Sequence, residues 1–217
     1  MSAVRAGTLE GLRPARLRSL RSACAELAER EDTEFAATLL GNTATHEGRS
    51  PEQLRRWAEA AAAFGTELAG QETGELPVGA RIVERPDGLA DDRLLLARYR
   101  SRPQPAVELY TDTLALAEEL TGLLGWRGWF PAGSVRPAAV AHEAAHHRLH
   151  DPAVKRRLRR CLDHPVLSLG RHRLLGHVAG ADEIAAHAFT RTALGLGRSP
   201  LLLTAALARA VGALREN

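Results

Sequence analysis

The spacing of apolar residues changes once along the chain, from a helical period to a strand-like period, and then changes back. From Leu12 to Leu68 the apolar residues recur mostly at intervals of three and four, which predicts helices. Between Ala80 and Tyr110 the apolar runs are short or alternating, and Pro-Asp-Gly and Pro-Gln-Pro separate them, as is typical of a small antiparallel sheet. The pattern therefore predicts an α+β chain that is mostly helical.

Two helices are predicted ahead of the sheet. The first covers about residues 12–40, and the second begins at Ser50, where Ser-Pro-Glu supplies an N-cap and a proline in the first turn. The polar, glycine-bearing stretch from Gln71 to Pro77 indicates a linker. We therefore expect an N-terminal helical region over 1–72 and a second domain over 73–217.

Only helices are predicted after the sheet. Ser134 is the expected N-cap of a histidine-rich helix, which Asp151-Pro152 ends. The predicted spans are a helix from Thr111 to about residue 124, the histidine-rich helix over 135–150, a short basic helix around 155–160, and helices over 181–194 and 200–214.

Composition narrows the class of protein. The 217 residues are 45% hydrophobic and carry a formal charge of +3, which suits a globular protein and does not by itself indicate nucleic-acid binding. Cys24 and Cys161 lack C-x-x-C spacing, so neither a disulfide framework nor a thiolate metal site is expected. The most apolar stretch, 199–214, contains Arg209 and is too short to span a bilayer. We expect a cytoplasmic protein without a membrane partner.

The segment from Val140 to His150 concentrates four histidines and one glutamate in nine positions. On an α-helix His142 and His146 lie about 40° apart on one face, so both imidazoles can bind one Zn²⁺. Glu143 lies next to the first histidine and can act as general base toward a water molecule that the metal activates. The spacing predicts a hydrolase with one zinc ion per chain, His142 and His146 as ligands, and Glu143 as the catalytic residue.

A catalytic zinc needs a third protein ligand. Glu183 and His187 lie one turn apart on the same side of a predicted helix. Either one can bind the metal while the other supports it from the outer shell, and the spacing leaves this choice open.

The two motifs together resemble the ImmA/IrrE-type metallopeptidases. The segment Val140 to His150, preceded by Arg136, is similar to the active helix of that family, and Glu183-Ile-Ala-Ala-His-Ala-Phe189 is similar to its second motif. The resemblance covers about residues 80–195. It implies a zincin-like fold, cleavage of a peptide or protein substrate, and Glu183 as the third ligand, with His187 in the second shell or facing the substrate. Ala144-Ala145 and His187 depart from the residues usual in the family.

Two further residues are candidates for contact with substrate. His150 lies two turns from His142 and is either a substrate contact or a C-terminal cap of its helix. Tyr110, at the end of a predicted strand, could donate a hydrogen bond to an oxyanion, although a core position is the commoner role of such a tyrosine.

Two other classes of protein fit parts of the sequence. Glu143-x-x-His146 is also the spacing of carboxylate-bridged di-iron helical bundles, but the chain lacks a second Glu-x-x-His at Glu183, and strands do not belong in such a bundle. A non-catalytic, metal-stabilised regulatory or binding module is the other alternative. The two leading helices and the arginine-rich region 148–160 could then contact nucleic acid or an acidic protein, but a charge run is more typical of a solvated helix face.

Overall fold

The computed structural model describes residues 9–71, 76, 79–90, 93–170 and 172–216. Most of the predicted linker after Gln71 lies outside these residues. The described residues form a mixed α+β structure, as predicted. Its elements are α1 (Pro14–Ala28), α2 (Asp32–Gly41), α3 (Pro51–Gln71), β1 (Arg81–Arg85), β2 (Ala97–Arg100), β3 (Ala106–Tyr110), α4 (Thr111–Leu123), α5 (Val135–Leu149), α6 (Pro152–Leu162), β4 (Pro165–Leu169), β5 (His172–Leu175), α7 (Ala181–Ala193) and α8 (Pro200–Arg215).

The predicted first helix is two helices, because the chain breaks between α1 and α2. Asp32 begins α2, and its carboxylate accepts hydrogen bonds from the Arg191 and Arg198 side chains and from the Ser199 backbone N–H. These contacts tie the start of α2 to the segment between α7 and α8. Apolar spacing alone did not reveal the break, because both helices continue the same period.

The three-stranded sheet has the predicted strands but is mixed, so the prediction of a purely antiparallel sheet was wrong. β3 lies in the middle, pairing parallel with β1 and antiparallel with β2. The chain therefore passes from β1 to the far edge before it returns to the centre. This leaves β2 as the edge strand that borders α5.

A second sheet, the β4–β5 hairpin, was not predicted. It turns at Gly170, whose φ of 56° lies in the left-handed region that glycine adopts readily. Val166, Leu167 and Leu174 are more than half exposed, so the hairpin gains little from burial. The apolar run was too short to distinguish from a loop between helices.

Two hydrophobic clusters hold the helices together. One cluster joins α1, α4 and α8 with the inner face of the sheet, and the other joins α2, α3 and α6 with α5 and α7. Helices from before residue 72 thus contribute to both cores. None of the described helices is both long and apolar enough to cross a membrane.

The closest contact between helices is that of α3 with α7, where Gly65 faces Ala185. A Cβ placed on Gly65 would lie 2.1 Å from the Ala185 carbonyl oxygen, so a side chain at residue 65 would force the two backbones apart. Ala185 lies midway between Glu183 and His187. The N-terminal region therefore sets the position of the α7 segment on which the predicted third ligand lies.

Ser134 occupies the predicted N-cap position of α5, but its side chain makes no capping hydrogen bond, and Glu118 of α4 supplies one instead. Ser134 has helical backbone angles, and its buried hydroxyl has no hydrogen-bond partner among the described residues. The Glu118 carboxylate accepts hydrogen bonds from the Val135 backbone N–H at 3.1 Å and from the Arg127 guanidinium at 2.5 Å. An acid from a neighbouring helix thereby satisfies the first amide of α5.

Candidate metal centre

Helix α5 presents His142, Glu143 and His146 toward one side, as the helical period predicts. Small residues, Ala141, Ala144 and Ala145, occupy its buried face and let it pack closely against its neighbours. The three polar side chains are only partly buried, so they lie at the boundary between the core and a cavity.

Helix α7 brings Glu183 against both histidines. The Nε2 atoms of His142 and His146 lie 3.1 Å apart, and His146 Nε2 lies 3.0 Å from Glu183 Oε2. His142 Nε2 lies 3.4 Å from Glu183 Oε1. Among the described residues, these three form the group whose donor atoms are arranged to hold a metal ion.

The spacing of the donor atoms suits a small tetrahedral cation. Zinc ligands at 2.0–2.2 Å from the ion lie roughly 3.3 Å from one another in a tetrahedral site. The three separations above, 3.0 to 3.4 Å, are close to that value. Two imidazoles and a carboxylate are also a donor set that zinc uses in catalytic sites. The residues therefore fit the ion that the sequence predicts.

The electrostatics of the cluster favour ionised Glu183. Burial would raise the pKa of Glu183, but hydrogen bonds from His142, His146 and His187 outweigh burial and lower it below the usual range of a carboxylic acid. Burial lowers the pKa of His142, and the neighbouring His187 lowers it further. Burial also opposes protonation of His146, but the Glu183 carboxylate overcomes this and raises the pKa of His146. The cluster thus supplies an anionic oxygen and a neutral imidazole, as cation binding requires.

His187 lies behind Glu183 and not within the triad. Its Nε2 is 3.0 Å from Glu183 Oε1, its ring centroid is 4.4 Å from that of His142, and it is 7% exposed. In this position it can orient the carboxylate. The Nδ1 atoms of His142 and His187 are buried without a partner among the described residues, so His142 lacks the outer-shell acceptor that a ligating histidine usually has.

Glu143 is held by the edge strand of the sheet. The Tyr99 backbone N–H donates to Glu143 Oε2 at 2.7 Å. Tyr99 lies on β2, and its amide points away from β3 toward α5. One carboxylate oxygen is therefore fixed by the backbone, while the other is available to a substrate or water.

Two cavities meet at these side chains. A groove of about 740 Å³ runs between β2 and α5 and is lined by His142, Glu143, His146 and Glu183 together with Ala97, Arg98, Tyr99 and Ser101. A smaller cavity of about 160 Å³ opens beside His142, Glu143, Glu183 and His187. Its other walls are apolar and come from the 94–97 segment, α5 and α8, with Val135, Ala138, Ala139, Pro200 and Leu203 among them.

The remaining sequence-predicted residues occupy different surroundings. His150 is exposed, caps the C-terminal end of α5 and also lines the groove. His147, the next residue after His146, also lines the groove, and its ring lies 5.5 Å from that of Tyr99. Tyr110 is 3% exposed and lines neither cavity, which is the core position that the sequence left open as the alternative.

Three parts of the site were not predicted from the sequence: the Tyr99 amide, the 94–97 wall and the α8 wall. The Tyr99 amide is a backbone group, so the type of residue at this position does not predict it. The other two are ordinary apolar residues that folding brings to the cavity. A signal existed only for α8, whose residues belong to the most apolar stretch of the sequence.

Comparison of the chain with protein-family models, with curated proteins and with solved structures finds no match in any of the three. Function is therefore inferred from the geometry of the site.

Proposed function

We propose that the protein is a zinc-dependent hydrolase that cleaves a peptide bond, and that it is a metallopeptidase of the ImmA/IrrE type with a zincin-like fold. The observation that carries this proposal is the approach of Glu183 to His142 and His146, which puts three donor atoms 3.0 to 3.4 Å apart beside Glu143. These residues come from motifs about 40 positions apart, and nothing in their local sequence requires that they meet.

In this proposal His142, His146 and Glu183 hold the ion and His187 orients Glu183. When bound, zinc would supply a Lewis acid that polarises the substrate carbonyl and acidifies water. Glu143 accepts the proton of the attacking water and returns it to the leaving nitrogen. The Tyr99 amide holds one oxygen of Glu143, so the carboxylate faces the groove with its other oxygen.

The cavities support a peptide as the substrate. The groove borders an edge strand, β2, and apart from the Tyr99 N–H that binds Glu143, the outward backbone groups of this strand can pair with an extended chain. The apolar cavity of about 160 Å³ next to Glu143 can take one apolar side chain of that peptide. We therefore expect cleavage next to an apolar residue.

Metal content tests the first half of the proposal. Purified protein loaded with zinc and dialysed is expected to retain about one ion per chain, and His146→Ala is expected to lose it while keeping its helical circular dichroism. About two iron ions per chain would instead select a di-iron protein.

Activity tests the second half. The measurement is cleavage of a mixed peptide library, followed by mass spectrometry. Glu143→Gln should retain zinc and lose cleavage by about 100-fold or more, since general-base catalysis contributes that much. Unchanged cleavage by Glu143→Gln would refute the role of this carboxylate. Retained zinc without cleavage by the parent protein, under any condition tried, would favour a structural metal site in a binding module.

A further inference from the structure

The outer face of the three-stranded sheet carries four arginines around one carboxylate. Glu108 lies at the centre of β3, and the arginines come from both flanking strands. The register places Arg81 and Arg100 on either side of Ala106, and Arg98 beside Glu108, so all of them point to the same face. The fourth arginine, Arg85, reaches Glu108 from β1.

Glu108 is fully buried beneath these arginines. Arg98 Nη2 donates to Glu108 Oε2 at 2.7 Å, and Arg85 Nη2 donates to Glu108 Oε1 at 3.1 Å. Burial would raise the pKa of Glu108, but the Arg98 and Arg85 guanidiniums lower it, so the carboxylate is ionised. Arg85 and Arg98 alone therefore satisfy this acid.

The positive charge exceeds what Glu108 needs. Arg100 lies 3.8 Å from Glu108, beyond hydrogen-bond distance, and Arg81 is exposed on the next row of the sheet. Arg98 uses its Nε and Nη2 toward Glu108 and is 52% exposed, so its remaining donors face solvent. Among the described residues, Asp87 in the loop after β1 also acts on Arg98, and a second carboxylate leaves the four guanidiniums in excess.

We propose that this surface, defined by Arg81, Arg85, Arg98 and Arg100, binds an acidic segment of a polypeptide. Guanidinium groups bind carboxylates in pairs of parallel hydrogen bonds, and a row of them on a flat sheet suits a chain that bears several carboxylates. Arg98 also lines the groove beside Glu143, so the surface continues into the candidate active site. If the proposed peptidase function holds, the acidic segment belongs to the substrate.

A polypeptide suits the surface better than nucleic acid does. Single-stranded nucleic acids bind by stacking their bases on exposed aromatic rings as well as by charge. The aromatic residue on this face, Tyr110, is 3% exposed, and Tyr99 points to the opposite face. The described face thus offers charge without a stacking platform.

Direct binding tests the proposal without any need for catalysis. The probe is a fluorescein-labelled decapeptide of alternating Glu and Ser, followed by fluorescence anisotropy at low salt, and the comparison probes are a Lys-Ser decapeptide and an oligothymidine of equal negative charge. We expect the acidic peptide to bind at least five times more tightly than either comparison probe. Binding should persist in His146→Ala, because it does not depend on the metal, so failure of the zinc proposal would leave this result unaffected.

Matched variants locate the binding surface. The double variant Arg81→Gln/Arg100→Gln leaves the Arg85 and Arg98 contacts with Glu108 in place and should weaken binding at least fivefold. Arg18→Gln/Arg21→Gln removes the same charge from the exposed face of α1 and should change affinity less than twofold.

A third variant changes the charge in the other direction. Glu108→Gln removes the acid that competes for the arginines and should tighten binding at least twofold. Equal weakening by the two double variants would overturn the proposal. So would tighter binding of the oligothymidine that the Arg81→Gln/Arg100→Gln variant abolishes, since it would make the surface a nucleic-acid site.

Discussion

Glu118 and Glu183 are both partly buried glutamates with a lowered pKa, but their partners differ in kind. Glu118 binds the Arg127 guanidinium and the Val135 backbone amide, two donors that stay protonated at any ordinary pH. Glu183 faces three imidazoles, each of which can lose its proton. Around Glu118 every contact is a completed hydrogen bond. Around Glu183 the nearest groups are imidazole Nε2 atoms, and such a nitrogen can bind a metal cation in place of a proton.

A structural acid and a metal-binding acid should differ in the donors around them. A structural acid has permanent donors and links elements, as Glu118 links α4 to the start of α5. Glu183, which we propose binds a metal, instead faces three imidazoles and borders both cavities.

Glu183→Gln should have the largest effect, and the effect should fall on metal affinity. Glutamine fills the same space but removes the anionic oxygen from the triad. We expect zinc affinity to fall by at least about 100-fold, which is the upper end of the loss for an outer-shell partner. Isothermal titration calorimetry gives the affinity. Glu118→Gln should change zinc affinity less than about threefold. Equal losses of affinity in the two variants would show that Glu183 has no special role in binding the metal.

Gly65→Ala should disturb Glu183 without touching it. The added methyl group meets the Ala185 backbone, so α7 must shift, at a cost of about 3 kcal/mol in the free energy of unfolding. This lowers the melting temperature by about 6–12 °C in a protein of this size. Zinc affinity should fall about tenfold, because the ligand on α7 moves with its helix.

Gly70→Ala is the matched control on the same helix. A Cβ there meets nothing within 4 Å, so alanine should stabilise the protein by roughly 0.5–1 kcal/mol through its higher helix propensity. If Gly65→Ala behaved like Gly70→Ala, the close approach of α3 and α7 would not govern the site.

Glu118→Gln should reduce stability and leave the metal site intact. The substitution replaces the charge-assisted hydrogen bonds to Arg127 and Val135 with neutral ones. We expect the free energy of unfolding to fall by about 2 kcal/mol and the melting temperature by about 4–8 °C. Glu59→Gln breaks the exposed Arg55–Glu59 pair and should change stability by less than about 0.5 kcal/mol. Thermal unfolding followed by circular dichroism measures both. Equal effects would show that burial of Glu118 contributes nothing.

The smallest expected effect is on the pH dependence of stability, compared between the parent protein and Glu118→Gln. Because the pKa of Glu118 is lowered in the folded state, its contribution is complete above its ordinary pKa of 4.5 and is lost as the pH falls below that value. The difference in melting temperature between the parent and Glu118→Gln, measured in metal-free protein, should be constant near neutral pH and shrink below about pH 4.5. A difference that grew toward acid pH would contradict the lowered pKa.

Local spacing predicted the helical part of the site well. His142, Glu143 and His146 lie within five residues of one another, so the helical period alone fixes their relative positions. Resemblance to a second motif supplied Glu183, and the structure brings that residue within 3.4 Å of both histidines. The choice between Glu183 and His187 needed the packing of α7 against α5, which spacing does not contain.

Long-range pairing limited the prediction of the fold. The strands β1, β2 and β3 were predicted, but their order depends on which edges meet, and a strand's own residues do not encode its neighbours. Ser134 is the N-cap residue as predicted, but the hydrogen bond to the first amide of α5 comes from Glu118 on another helix. Local sequence does not contain that long-range contact.

The contact between the Tyr99 backbone N–H and Glu143 has one further consequence. Every amino acid except proline carries that donor, so the contact with the carboxylate does not depend on the tyrosine side chain. The orientation of this carboxylate thus depends on the alignment of β2 and not on the side chain at residue 99. Related chains could share this device while showing nothing in common at that position.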